Sequence, residues 1–177
     1  MIGVLVSGEG TNLQALIDVN APIAAVASNR AGVRALQRAQ EAGIPARVFE
    51  RDHYASRDAR DREMADWLQL RGVDLVILAG YMHLLTPSFL ERFRDRVVNV
   101  HPSLLPAFPG AHAIDDALQA GVETTGVTVH YVDEGLDTGA VICQEPVPVE
   151  PRGTLVERIH AVEHRLLPEV VQELCAR

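Results

Sequence analysis

Residues 99–110 read NVHPSLLPAFPG, so a carboxamide and an imidazole stand one residue apart where an apolar run ends. In extended backbone, Asn99 and His101 project to the same side. Pro102 biases His101 away from helix, and Pro106 and Pro109 stiffen the chain beyond it. A second turn-forming motif, GLDTG at 135–139, supplies Asp137, an acid that would reach His101 from another segment. A carboxylate beside an imidazole orients it and favours its protonated form, and an amide donates to oxygen at the same time. The three together suit a carbonyl that gathers negative charge under attack. No G-x-S-x-G elbow and no suitably placed cysteine offers a nucleophile instead. A Pro-rich turn of purely structural purpose is the competing reading of the same segment.

SGEGTN, residues 7–12, follows the first apolar run and opens an amphipathic stretch. Small residues there let backbone N–H groups approach an anion, and a helix N-terminus favours negative charge, so Gly8, Gly10, Thr11 and Asn12 form a candidate phosphate cradle. A tight strand-to-helix turn accounts for the same residues. A dinucleotide fits less well: Leu13 replaces the third glycine of G-x-G-x-x-G, and the second apolar run ends in ASNR with no acid for a ribose diol.

HAVEH at 160–164 matches the H-x-x-E-H zinc pattern, with His160 and His164 one helical turn apart. A catalytic zinc needs a third protein ligand, and Glu169 and Glu173 both lie on or beside the same helix. A zinc hydrolase is thus a second functional class, and a noncatalytic phosphate-binding module a third. His53, His83, His112 and His130 have no distinctive partner in the sequence. His130 alternates with apolar neighbours in VTVHYV and reads as a hydrogen-bonded structural histidine. The charges of RDHYASRDARDREMADW read as a solvated helix face, with Arg57 near its start as the one that would instead meet an acidic ligand.

These residues must be held by elements, and the first hundred positions supply a regular rhythm. IGVLVS, PIAAVAS, ARVFE, VDLVILAG and RVVNV read as strands, and the stretches 12–19, 32–42 and 57–71 as helices by apolar spacing near 3.6. That is the βαβ alternation of a doubly wound parallel sheet, with strands apolar throughout because helices cover both faces. The remainder changes character. HAIDDALQAG predicts a helix ended by Gly121, GVTVHYVD and AVICQEPVPV predict two strands around the turn-rich EGLDTG, and a last helix should start at Thr154 with Glu157 completing a capping box. Pro168 would kink or interrupt that helix.

The 177 residues suit one domain, and 47% hydrophobic composition is enough for a sizeable core. Sixteen basic against 24 acidic residues give a net charge of −8, which argues against nucleic acid as a partner while leaving room for a local pocket for one small anion. Cys143 and Cys175 stand far apart in no metal-ligand spacing, which fits a reducing, cytoplasmic setting. No basic, apolar leader opens the chain and no segment approaches the ~20 apolar residues that span a bilayer, so a soluble, unexported protein is expected.

Five segments, SGEGTNLQALID, VILAGYMHLLTPSFL, NVHPSLLPAFPG, GVTVHYVDEGLDTGAVICQ and VEHRLLPEVV, occur in an order that resembles the phosphoribosylglycinamide formyltransferases, folate-dependent enzymes of purine biosynthesis. The resemblance covers nearly the whole chain. It implies a single-domain, Rossmann-like α/β formyltransferase fold over 1–177: a largely parallel sheet with helices on both faces and an antiparallel C-terminal addition. Residues 1–100 would be the phosphate-binding βα half, and 101–177 would complete the catalytic and folate sites. It further implies transfer of a formyl group from 10-formyltetrahydrofolate to glycinamide ribonucleotide, with no metal, no membrane and no nucleic acid involved, by a monomer or homodimer.

By the same resemblance Asn99, His101 and Asp137 are catalytic; Gly10, Thr11, Asn12 and Glu163 bind the ribonucleotide; Arg57, Asn99 and the loop Met82, His83, Leu84 and Leu85 meet the folate. Glu163 near the ribose and amine end gives HAVEH an explanation without metal. His83 stands where some relatives carry Arg, so the loop's backbone is the better-founded part of that assignment. Methionyl-tRNA formyltransferase adds a C-terminal tRNA domain and formyltetrahydrofolate deformylase an N-terminal regulatory one. The short, acidic chain is expected to have neither, nor the C-terminal tail of some relatives.

Overall fold

The apolar runs close into strands and the 3.6-periodic stretches into helices over residues 1–176, which a computed structural model describes. In chain order these are β1 (Ile2–Val6), α1 (Thr11–Asp18), β2 (Ile23–Ser28), α2 (Arg34–Glu41), β3 (Ala46–Val48), α3 (Arg57–Gln69), β4 (Leu75–Leu78), α4 (Pro87–Arg92), β5 (Val97–His101), α5 (Ala113–Ala120), β6 (Thr124–Tyr131), β7 (Val141–Pro148) and α6 (Leu155–Ala176). The strand order is β3-β2-β1-β4-β5-β6-β7. Two compact units, 1–98 and the residues from 99 onward, meet in sequence inside β5.

In the first unit β1 pairs in parallel with both β2 and β4, and β2 with β3. Every residue of β1 and β4 is buried, which is why those runs show no polar alternation. β3 is the exposed edge. Gly3 packs where a Cβ would sit 2.9 Å from Val73 and 3.0 Å from Leu68, so the sheet centre needs a residue without a side chain. Ser56 caps α3 by accepting the Ala59 N–H at 3.0 Å.

α4 is absent from the periodicity reading because six residues are too few to show a period. Its signal was TP at 86–87, a threonine followed by proline at the first helical position. The solvated-face reading of α3 is corrected: Arg60 and Asp61 are fully buried, which two adjacent opposite charges tolerate when they pair with each other.

In the second unit β6 and β7 run antiparallel, and α6 packs on both. Gly121 ends α5 with φ 67°, the left-handed conformation glycine adopts without a Cβ penalty. The expected start of α6 holds to within one residue, but its capping box does not form as drawn. The Thr154 hydroxyl donates to the Pro151 carbonyl and accepts from Arg158 Nε, bonds made available by a short 3-10 turn at Arg152–Thr154. Pro168 interrupts nothing: α6 runs through it, with Leu166, Leu167, Pro168, Val170 and Val171 buried along that turn. Burial of this apolar stripe offsets the single backbone bond that proline removes. No helix among the described residues is long and apolar enough to cross a membrane.

Candidate active site

β5 ends where its polar residues begin, and the second unit gathers four groups there. Asn99 is half-buried and His101 buried at the last positions of the strand. Asp137 comes from the turn between β6 and β7 with φ 54°, a left-handed backbone that aspartate tolerates better than most residues. Its Oδ2 lies 3.5 Å from His101 Nδ1 and accepts the Gly110 N–H at 2.8 Å. Its Oδ1 lies 3.6 Å from His130 Nε2. The three residues singled out from NVHP and GLDTG are therefore neighbours, and His130 is a fourth.

His130 is the residue that sequence reasoning missed. Its Nδ1–H donates to the Tyr131 carbonyl at 2.8 Å, and burial pushes its imidazole below the ordinary histidine range, so the ring is neutral. Nε2 then holds a lone pair, which accepts from Asn99 Nδ2 at 3.2 Å. This turns the Asn99 amide so that nitrogen faces His130, with its second N–H left for another acceptor. The available signal was position: His130 faces Asn99 across neighbouring strands, which one-dimensional alternation in VTVHYV does not display.

The proline-rich segment is shaped by its own hydrogen bonds. His101 Nε2–H donates to the Phe108 carbonyl at 2.8 Å, and the Ser103 hydroxyl donates to the Ala107 carbonyl at 2.6 Å. Thr128 Oγ1 donates to the Ser103 carbonyl at 2.7 Å and accepts the Leu105 N–H at 3.1 Å, and Gln144 Nε2 donates to the Leu105 carbonyl at 2.8 Å. β6 and β7 thus hold residues 103–105 by side chains. Phe108 has φ 52°, unfavourable for a bulky residue, so the turn that carries its carbonyl to His101 is held against a local cost. Glu163 is buried on α6. His160 and His164, flanking it, stack with ring centroids 6.0 Å apart. Among the described residues no group of three His, Cys, Asp or Glu side chains is arranged to hold a metal.

In the first unit, SGEGTN is a strand-to-helix turn with a specific reason for its central glycine. Gly10 has φ 72° and a Cβ there would lie 2.6 Å from Ala35 Cβ and 2.8 Å from Ala35 Cα. Arg38 clamps the turn from α2, donating to the Glu9 carbonyl at 2.9 Å and to Gln14 Oε1 at 3.0 Å. Thr11 and Asn12 open α1, whose first turn has no side-chain cap. The loop 82–85 starts beside it: the Met82 N–H donates to Ser7 Oγ at 2.9 Å, and Ser7 donates to Asn29 Oδ1 at 2.7 Å. Met82 and Leu84 are exposed, Leu85 is buried and His83 lies between these extremes. Arg57 is exposed at the first position of α3, within electrostatic reach of His83.

The pattern that defines formyl transferases matches residues 1–171. The chain belongs to the formyl transferase family. It is 42% identical over 180 residues to phosphoribosylglycinamide formyltransferase of Haemophilus influenzae, covering 97% of this chain and 85% of that protein. It is 46% identical over 184 residues to the trifunctional purine biosynthetic protein adenosine-3 of Drosophila melanogaster, covering 98% of this chain but spanning only 14% of that relative. Among solved formyl transferase structures, glycinamide ribonucleotide transformylase 1 from Geobacillus kaustophilus superposes with a TM-score of 0.94 at 47% identity, covering 98% of this chain and 97% of the other. The largely parallel sheet with antiparallel strands at its C-terminal end is thus a formyl transferase fold at high identity.

Proposed function

We propose that this chain transfers the formyl group of 10-formyltetrahydrofolate to the amine of 5'-phosphoribosylglycinamide, giving the N-formyl ribonucleotide and tetrahydrofolate. The observation that carries this reading is the contact of Asp137 with His101, two residues beyond Asn99, in a chain that belongs to the formyl transferases. The amine nitrogen attacks the formyl carbon, and the carbonyl π pair moves onto oxygen. The Asn99 N–H that His130 leaves over, together with the His101 Nε2–H now held by the Phe108 carbonyl, donates to that oxygen. Collapse expels the folate N10, which takes a proton from His101, and the proton shed by the attacking amine restores that ring. Asp137 orients the His101 ring through Nδ1 and balances its positive charge.

Gly10, Thr11 and Asn12 take the phosphate at the turn into α1, whose shape the Gly10–Ala35 approach and the Arg38 bonds support. Glu163 takes the ribose and amine end of the same substrate. The loop from Met82 to Leu85 borders the pterin, with exposed Met82 and Leu84 offering apolar surface to an aromatic ring, and Arg57 meets an acidic group of the folate. Purified protein mixed with glycinamide ribonucleotide and 10-formyltetrahydrofolate should change the folate absorbance only when both are present. No change, under conditions where an authentic transformylase turns over, would reject the reading.

A further inference from the structure

A buried cation in the first unit takes no part in the chemistry above. Arg60 donates from Nε and Nη2 to Asp61 Oδ1 at 2.8 and 2.6 Å, and Asp61 Oδ2 accepts the Thr86 N–H at 2.8 Å. The remaining guanidinium nitrogen, Nη1, lies 2.7 Å from His83 Nδ1. A guanidinium only donates and stays charged, so this contact is a hydrogen bond when Nδ1 carries the lone pair. The single proton of the neutral ring then sits on Nε2. Protonating Nδ1 would set N–H against N–H and a second positive charge beside the first.

The groups facing His83 from neighbouring elements are Arg57, Arg60 and Asp61 of α3 and the ring of Tyr81, whose centroid is 6.0 Å away. Asp61 already accepts from Arg60 and from the Thr86 backbone. Among the described residues no hydrogen bond engages His83 Nε2.

We infer that His83 is a specificity-determining donor locked by Arg60: position 83 offers a bound ligand one directed Nε2–H, matched to an uncharged acceptor such as a carbonyl oxygen or ring nitrogen. It offers no cation to a carboxylate. Burial and the Arg60 charge both lower the pKa of this imidazole, in keeping with a ring that stays neutral. That the ligand is the formyl-donor folate rests on the proposed function.

The first test needs no substrate. In a proton–nitrogen correlation spectrum of 15N-labelled protein, with His83 assigned by His83→Gln, the ring should show the Nε2–H tautomer from pH 7.5 down through ~6.5, where free histidine titrates. Titration of His83 at that ordinary value, or an Nδ1–H tautomer, would overturn the inference. Arg60→Gln should release the ring to titrate; because that variant leaves Asp61 short of its partner and could unfold, the parent spectrum stands as the deciding measurement.

The second test reads the donor. His83→Phe should raise KM for 10-formyltetrahydrofolate roughly tenfold, about the worth of one hydrogen bond, and His83→Gln, which keeps an N–H, much less, with the change falling on KM rather than kcat. Equal effects of Phe and Gln would refute a donor role. A parent protein with no formyl transfer at all rejects the proposed function instead, and the ring spectrum alone then decides the Arg60–His83 contact.

Discussion

Asp137 Oδ2 accepts the Gly110 N–H and lies 3.5 Å from His101 Nδ1, while its Oδ1 lies 3.6 Å from His130 Nε2. An amide keeps the shape but not the negative charge, which on the proposed reading favours a protonated His101. Asp137→Asn should therefore depress kcat strongly with little loss of folding stability, and a variant that keeps the parent rate and pH profile would separate Asp137 from the chemistry. On the proposed reading Asn99→Ala removes a donor whose worth rises as charge develops on the formyl oxygen, and turnover should fall roughly 10²-fold or more. Steady-state kinetics on both substrates, alongside a circular dichroism spectrum that shows the fold intact, checks each variant.

At the scale of elements, the turn into α1 depends on two helices meeting at one glycine. Gly10→Ala combines a positive φ, costing about 1–2 kcal/mol for a residue with a Cβ, with an overlap against the Ala35 backbone, for which overpacking typically adds about 1–3 kcal/mol. A lowered urea midpoint is expected. A midpoint equal to the parent's would mean that α2 moves aside without cost. The same logic explains the NVHP segment: prolines limit its conformations, but Thr128 and Gln144 on β6 and β7 select the one seen, by bonds to residues 103 and 105.

Across the whole molecule, two imidazoles held below their ordinary range make stability depend on pH. His83 and His130 are both lowered chiefly by burial. As pH falls through ~6.5 the unfolded chain takes up protons at these positions before the folded one does. Their contribution is therefore complete above that value and is lost as pH falls toward the lowered folded values. The urea midpoint should drop between pH 7.5 and 5.5, and His130→Gln should make the drop smaller. A slope identical in parent and variant would show that His130 titrates alike in both states.

Much of this was legible in the letters themselves. Strand and helix order, the glycine that ends α5 and the choice of Asn99, His101 and Asp137 follow from short-range periodicity, backbone restriction by proline and glycine, and the chemistry of amide, imidazole and carboxylate. Those signals act within a few residues, and a linear chain displays them. Only the tertiary structure decided which side chains share a neighbourhood. His130, the hydrogen-bonded histidine that VTVHYV predicts, proved to orient the Asn99 amide, the charged α3 face hid Arg60 and Asp61, and Pro168 was carried inside a continuous helix. Each outcome turns on burial and on partners distant in sequence, and the local pattern around a residue carries neither.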